Sequence, residues 1–308
     1  MKDNMKDNIK VAIAFWGLTR SLKYTILSIY ENILNIFKES NIEYDIFIHT
    51  YNVFDKYNNN RASEKNINLN CNEYLLLNPL RNIIDNQDII INKLQLHKYY
   101  SQPDPWSTNY QTVNNFILAM YSKLKVTELI ENEKKNYDYI IFLRPDVRYL
   151  NKFDLNYFDY VNDYTVCIPD FHLFSNFNDR FYLSTLKNGL LYGKLFNNMY
   201  KYSIKNKLHS ETFHNHYIRI IYKFIILNIP IYFNRVRANG LELNDVKSLL
   251  MEKYNLSNEN KEIKKNYILD VIKDDFSIIN NIVNNSNIKI NPIDNIINDF
   301  NTISLFKN

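Results

Sequence analysis

Glycine is nearly missing from this chain: the 308 residues include 4, beside 7 prolines. No loop rich in Gly, Lys and Ser or Thr follows the first predicted strand, where Gly17 stands alone, so a P-loop phosphate cradle is excluded there. Cysteine is scarcer still, with Cys71 and Cys167 far apart. That spacing excludes a disulfide scaffold and a zinc-finger ligand set, and it points to a reducing compartment. No segment approaches the roughly 20 unbroken apolar residues that cross a bilayer. The N-terminal "MKDNMKDNIK" lacks the apolar core of a signal peptide, so a cytoplasmic protein is expected. Charge of one sign is also lacking. The formal net charge is +4, and no block of Lys and Arg tracks a nucleic-acid backbone, so nucleic acid is not an expected partner. The mild basic excess suits a phosphate-bearing ligand.

What is present is enough for a globular core, with 46% hydrophobic and 23% charged residues. "IKVAIAFWGL" (Ile9–Leu18) reads as a buried strand ending at a glycine. Leu22, Ile26, Ile29, Ile33 and Phe37 recur three or four apart, which predicts an amphipathic helix capped by Ser21 or Thr19. "YDIFIHTYNVF" (Tyr44–Phe54) is a second buried strand. Strand, helix, strand at these lengths implies a βαβ unit with parallel pairing.

Residues 55–73 are polar and read as an exposed loop, and "YLLLNPL" as a third strand. A long second helix shows Val113, Phe116, Ile117, Met120, Leu124, Val126 and Leu129 on its apolar face. "YDYIIFLRPDVRYL" (Tyr137–Leu150) is a strand with a sharp polar end. "DYTVCIPDF" reads as a strand, "NDRFYLSTLKNGLLYGKLFNNMYKYSIK" as a loop entering a helix, "HSETFHNHYIRIIYKFIILN" as a helix, and "IPIYFNRVRANG" as a strand ending in charges. The expected class is α/β, a mostly parallel sheet flanked by helices over residues 1–240. A helical or partly ordered extension is expected over 241–308.

In open α/β sheets ligands bind at the carboxyl ends of the strands, and polar clusters fall at those ends here. Gly17, Arg20 and Ser21 follow the first strand, and His49 and Thr50 end the second. Arg144-Pro145-Asp146 and Arg148 end the "IIFL" strand. Asn178, Asp179 and Arg180 form a loop, and Arg235 and Arg237 end the last strand. Pro145 removes a backbone donor and stops sheet pairing. In a strand-like exit Arg144, Asp146 and Arg148 would share a face. Two arginines around a carboxylate would hold a pyrophosphate, with Asp146 on a cation or a sugar hydroxyl. The plain alternative is a salt-bridged strand end.

Taken in order, these stretches resemble a nucleotide-sugar glycosyltransferase of the GT-A type. "VAIAFWGLTRS", a helix before "YDYIIFLRPDVRY", then "NDRFYLS", "SETF" and "RVRANG" carry the resemblance over about residues 9–240. Their order is similar to that of small glycosyltransferase-like proteins of bacterial surface-polysaccharide clusters and large DNA viruses. The resemblance implies a GT-A-like, Rossmann-like domain over 1–240, a nucleotide-sugar donor and a glycan or glycoconjugate acceptor. The compartment would be the cytoplasm, that of the host if the chain is viral. In the family an Asp-x-Asp signature binds a divalent metal that grips the donor diphosphate. Here Arg144-Pro145-Asp146 stands in its place, with the second carboxylate kept and the first an arginine. Asp146 alone would bind Mn²⁺ or Mg²⁺ weakly, and Arg144 would supply charge that the metal otherwise brings.

On this reading Gly17, Arg20, Ser21, His49, Thr50, Arg144, Asp146, Arg148, Arg235 and Arg237 meet the donor. Asn178, Arg180 and His214 meet the acceptor. Sugar transfer needs a stabilised leaving group, aligned substrates and, with inversion, a base for the acceptor hydroxyl. Glu211 in "HSETF" is the expected base and Asp179 its rival; the plain alternative for Glu211 is a first-turn carboxylate on the helix dipole. His214 and His216 do not share a helix face, so these histidines and His209 are not read as a zinc site. Trp16 is either core or a stacking platform, and Trp106 is a candidate sugar-stacking aromatic. Two other functions fit the same residues: a sulfotransferase, and a non-catalytic nucleotide- or carbohydrate-binding module that keeps the fold.

Overall fold

Strand β1 (Lys10–Trp16) is buried along nearly its whole length, as an unbroken KVAIAFW run requires. The chain leaves it through Gly17 at φ +92°, a conformation L side chains rarely adopt. It then enters one helical rod: α1 (Leu22–Ile29), a wider π-helical stretch Tyr30–Leu34, and α2 (Asn35–Glu39). Leu22, Ile26, Ile29, Ile33 and Phe37 are all buried, as their spacing predicts. Strand β2 (Glu43–Asn52) pairs parallel to β1, which completes the expected βαβ unit. This computed structural model describes residues 9–59 and 62–246, so the part of the expected extension after Val246 lies outside the described residues.

Residues 55–73 are more than an exposed loop. β3 (Tyr57–Asn59) and β4 (Glu64–Ile67) form an antiparallel hairpin, and Glu64 is only 1% exposed. The Leu-rich run expected as a strand is a 3₁₀ turn, Glu73–Leu77, closed by Asn78 in the left-handed conformation. The third parallel strand is β5 (Arg81–Asn86), at the sheet edge, where RNIIDN is half exposed and its apolar signal is weak. With glycine so scarce, Asn41, Asn66, Asn109 and Asn176 also take positive φ. α3 (Gln87–Leu94) leads toward the long helix α4 (Gln111–Glu133). The buried face of α4 includes Phe116, Met120, Lys123, Thr127 and Ile130. It is turned away from the expected Leu124 and Leu129, which are only partly buried, and it gives a lysine a core position.

β6 (Tyr139–Leu143) pairs parallel to β1 on the side away from β2. Its pairing stops at Leu143, before Pro145. β7 (Val147–Tyr149) leaves the main sheet, and β8 (Thr165–Pro169) rejoins it. The segment expected as a loop into a helix begins with a strand, β9 (Phe181–Thr185), antiparallel between β6 and β8. α5 (Leu186–Gly193), α6 (Phe196–Ser203) and α7 (Ser210–Asn215) follow, and α7 runs on as a π-helical His216–Ile221. The helix expected to reach Asn228 therefore ends early, and β10 (Ile225–Ile229) is an edge strand parallel to β8. β11 (Phe233–Arg235) pairs antiparallel with β7, and Leu241–Val246 returns to it through Leu243 N–H on the Arg235 carbonyl at 2.8 Å.

The main sheet has the order β10-β8-β9-β6-β1-β2-β5, with β9 alone running against the others. Ala12, Ala14 and Trp16 face the core under α4, while Val11, Ile13 and Phe15 are buried on the opposite face. α5 packs closely because a Cβ at Gly189 or Gly193 would lie 1.8 Å from Ile140 or Thr127. From β1 the chain winds outward through β2 to β5, then crosses back to β6. That reversal opens a crevice at the carboxyl ends of β1 and β6.

Candidate functional site at the crossing of β1 and β6

The parallel register Phe15↔Leu143 sets Trp16 beside Arg144, whose guanidinium lies 5.5 Å from the Trp16 ring centre. Asp146 accepts from Arg144 Nε at 2.7 Å, Arg144 Nη2 at 2.6 Å and Arg20 Nη2 at 3.0 Å. Burial opposes its charge, but the two guanidinium groups hold its carboxyl well below the usual carboxylate range. Arg20 also meets the Tyr57 hydroxyl and, at 3.4 Å, Glu64. Glu64 in turn accepts from Ala238 N–H at 2.6 Å. The β3–β4 hairpin is thus clasped to the β1 exit and to the chain after β11. Two arginines and two carboxylates close on one another.

Arg148 does not join them, contrary to the alternation expected of this exit. It donates to the Tyr24 carbonyl at 2.9 Å and pairs with Glu242 at 3.0 Å. Pro145 and Asp146 form a turn, so alternate residues no longer share a face.

Deeper in the crevice lies Lys123, 1% exposed. Its Nζ donates to the Tyr192 hydroxyl at 2.6 Å, the Asp179 carbonyl at 3.3 Å and His214 Nε2 at 3.1 Å. The same ammonium sits 4.3 Å from the Trp16 ring centre and 4.6 Å from that of Tyr192. Burial, helped by Arg144, lowers its pKa to about 7 against the pull of Asp179 and Glu211. His214 Nδ1 lies 2.7 Å from the Ser210 carbonyl, so that nitrogen carries the proton and Nε2 accepts from the lysine. Burial and the Lys123 charge lower His214 to about 3, so the ring is neutral.

Two carboxylates complete the floor. Asp179 makes no side-chain hydrogen bond or ion pair among the described residues. Burial would raise its pKa, but Arg180, Lys123, His214 and Arg144 bring it down to about 2. Glu211 accepts from Ser210 Oγ at 2.6 Å and lies 3.4 Å from His209 Nδ1. Burial and the Asp179 charge push its pKa up. Neighbouring carboxyls whose environments drive them apart in this way are suited to separate acid–base roles.

Of the three remaining arginines expected at the site, Arg235 is closed on Asp245 at 2.9 and 2.6 Å. Arg180 is 8% exposed, and its guanidinium makes one hydrogen bond among the described residues, 3.5 Å to His172 Nδ1. The half-buried Arg237 has no side-chain hydrogen bond or ion pair among them. Burial and neighbouring arginines lower the pKa of both.

Several expected ligand contacts turn out to be committed elsewhere. Ser21 Oγ donates to the Val236 carbonyl at 2.9 Å. Asn178 holds the Asp179 turn, donating to the Phe171 carbonyl at 2.8 Å and accepting from Arg180 N–H at 3.0 Å. His49 and Thr50 are fully buried. His49 Nδ1 lies 2.7 Å from Ser122 Oγ and its Nε2 3.2 Å from Asp85, while Ser122 Oγ accepts from Gly17 N–H at 2.8 Å. Burial lowers the His49 pKa, so a neutral ring donates to Asp85 and accepts from Ser122. This Ser-His-Asp line is sealed, since Ser122 is 0% exposed; it ties β1, β2 and α4 together and is no nucleophile. Trp106 stacks on His209 at 4.9 Å, which occupies one of its faces.

The structure therefore clusters Arg20, Arg144, Asp146, Asp179, Arg180, Glu211 and Arg237 near the carboxyl ends of β1 and β6, whereas His214, expected to meet the acceptor, is 0% exposed with both ring nitrogens bonded to Lys123 and Ser210. Sequence reasoning missed Lys123. Its signal was a lysine three residues after Met120 and seven before Ile130, on the apolar face of α4. The donor set does not suit a divalent cation. Three of the four or so lone-pair positions of Asp146 already accept from arginines, and no group of three or more His, Cys, Asp or Glu side chains converges among the described residues. Among the described residues, no helix is long and apolar enough to cross a membrane.

No family model matches the chain. No curated protein matches it in sequence. Among solved structures it is similar to the crystal structure of mouse xyloside xylosyltransferase 1 in its apo form, at 11% identity and a TM-score of 0.36, over 72% of this chain and 85% of that one.

Proposed function

We propose that the protein is a glycosyltransferase, moving a sugar from a nucleotide-sugar donor to a hydroxyl of a glycan or glycoconjugate. The observation that carries this reading is a pair of neighbouring carboxylates with opposed pKa shifts, Asp179 and Glu211, in a cationic crevice at the β1–β6 crossing. Transfer asks for both halves of that arrangement. Negative charge grows on the departing diphosphate, and fixed cations stabilise it there. The acceptor hydroxyl gives up a proton, and a base works best with its pKa near the operating pH.

Glu211 fits the base, because burial and Asp179 raise its proton affinity. Asp179, near 2, is a poor base but stays ionised. Its role is to stabilise the positive charge that develops on the sugar carbon as the leaving group departs. Lys123 holds its backbone carbonyl at 3.3 Å, and His214 in turn accepts from Lys123. The sequence resemblance to GT-A enzymes supports Glu211 as the base. A pure binding module has no need of two carboxylates tuned apart, and no observation favours a sulfotransferase over a sugar nucleotide.

The test is release of nucleotide from UDP-, GDP-, CMP- and dTDP-sugars and from a sulfonucleotide, with and without hydroxyl acceptors. One sugar nucleotide should turn over, and Glu211→Gln should slow it by about 10²-fold or more while donor affinity stays the same. Turnover of the sulfonucleotide, or donor binding with no turnover, would refute the proposal.

A further inference from the structure

GT-A enzymes of the kind this sequence resembles grip the donor diphosphate through a metal, and this crevice does not suit one. Asp146 is closed by Arg144 at 2.7 and 2.6 Å and by Arg20 at 3.0 Å. One lone-pair position is left to it, and a cation there would lie against the two guanidinium charges that already neutralise this carboxylate. Asp179 is the other available carboxylate. A cation beside it would face Arg180, Lys123 and Arg144, which already surround it. Arg144 gives Asp146 its Nε and Nη2, and its charge is matched there, so it is not the substitute that the sequence suggests.

Charge is nevertheless left over. Arg20 and Arg144 are matched by Asp146 and Glu64, and Arg235 by Asp245. Arg180, Arg237 and Lys123 remain, against Asp179 and a Glu211 whose ionisation is disfavoured. Keeping a guanidinium buried without a counter-ion is costly, yet Arg180 is 8% exposed with no carboxylate in ion-pair reach among the described residues. Arg237 is likewise open, and Arg235 lies close enough to both to repel them. Each of the two lacks a side-chain ion pair among the described residues, and the carboxylates that act on them, Asp179 and Glu211 on Arg180 and Glu64 and Asp146 on Arg237, do so only at longer range.

We propose that Arg180 and Arg237 bind the donor diphosphate directly in place of a divalent cation, so that the site works without metal. This rests on the nucleotide-sugar reading above. Guanidinium forks pair with phosphate oxygens in a bidentate way and stay charged at any working pH, so the grip needs no third component.

The experiment is isothermal titration of the full chain with UDP, GDP and dTDP, in EDTA and again with Mn²⁺. One nucleotide should bind in EDTA, with its dissociation constant changed less than about threefold by Mn²⁺. Arg180→Gln and Arg237→Gln should each weaken that binding about tenfold or more, as loss of a charged hydrogen-bond partner does. Melting temperatures check that both variants are folded. Because the EDTA and Mn²⁺ arms use the unaltered chain, a variant that misfolds leaves them decisive. Binding seen only with Mn²⁺ overturns the inference and leaves the transferase reading standing. Binding in EDTA that neither substitution weakens also overturns it. No binding under either condition removes the transferase reading and the inference with it.

Discussion

The Lys123→Met substitution exposes the cost of the buried ammonium. In the folded chain Lys123 is 1% exposed and loses its proton near pH 7, against an ordinary value of 10.5. The depressed pKa means that the unfolded chain binds this proton more tightly, so its contribution to stability rises with pH. Below pH 7 the penalty is full, about 5 kcal/mol at 1.36 kcal/mol per pH unit of displacement. It shrinks as pH rises from 7 and is gone above 10.5. Methionine fills similar space and does not titrate. It also leaves Tyr192, His214 and the Asp179 carbonyl without a donor, but that loss does not vary with pH across the window. Urea unfolding of both chains from pH 6 to pH 9 should show the unaltered chain gaining about 2.7 kcal/mol on the variant, the slope rising from about 1.0 kcal/mol per pH unit at pH 7.5 to about 1.3 at pH 9. Asp179 titrates far below that window. A difference that stays flat would mean that Lys123 keeps an ordinary pKa, and would refute the picture of a desolvated amine beneath Asp179.

Asp146→Asn should destabilise the fold by about 3–5 kcal/mol, because it leaves the Arg20 and Arg144 charges unmatched in a buried place; a melting temperature within a degree or two of the unaltered chain would contradict this. The Asp146 contribution is complete above the ordinary carboxylate range and is lost only as pH falls toward its depressed folded value. Gly193→Ala should cost about 1–3 kcal/mol by overpacking against Thr127, with Thr127→Ala in the same chain restoring part of it. Denaturant unfolding of the single and double variants checks this, and unchanged stability of Gly193→Ala would mean that α5 does not pack on α4 as described.

Much of the fold was legible in local pattern. The KVAIAFW run, the three- and four-residue spacing from Leu22 to Phe37 and the YDIFIHTYNVF run together specify β1, the helix after it and β2, because each buries one continuous face that is set by neighbours in the chain. The polar strand ends marked the crevice, because Pro145 ends pairing wherever it stands in a strand. Strand β9 was not legible. FYLST pairs antiparallel with β6 and β8, and its partners lie outside any local window. β5 was hidden because an edge strand may stay polar, and Glu64 looked like a loop residue until Arg20 and Ala238 met it from distant parts of the chain.

The site divides along the same line. The amino-acid sequence by itself determined which charges stand at the strand ends. Only the tertiary structure decided which of those charges cancel. Arg144 and Arg20 close on Asp146, Arg148 turns to Glu242, and Arg235 takes Asp245, while Arg180, Arg237 and Asp179 have no side-chain ion pair among the described residues. The physical reason is range: hydrophobic period and backbone chemistry act within a few residues, whereas a charge's worth depends on burial and on partners that the fold brings from more than a hundred positions away.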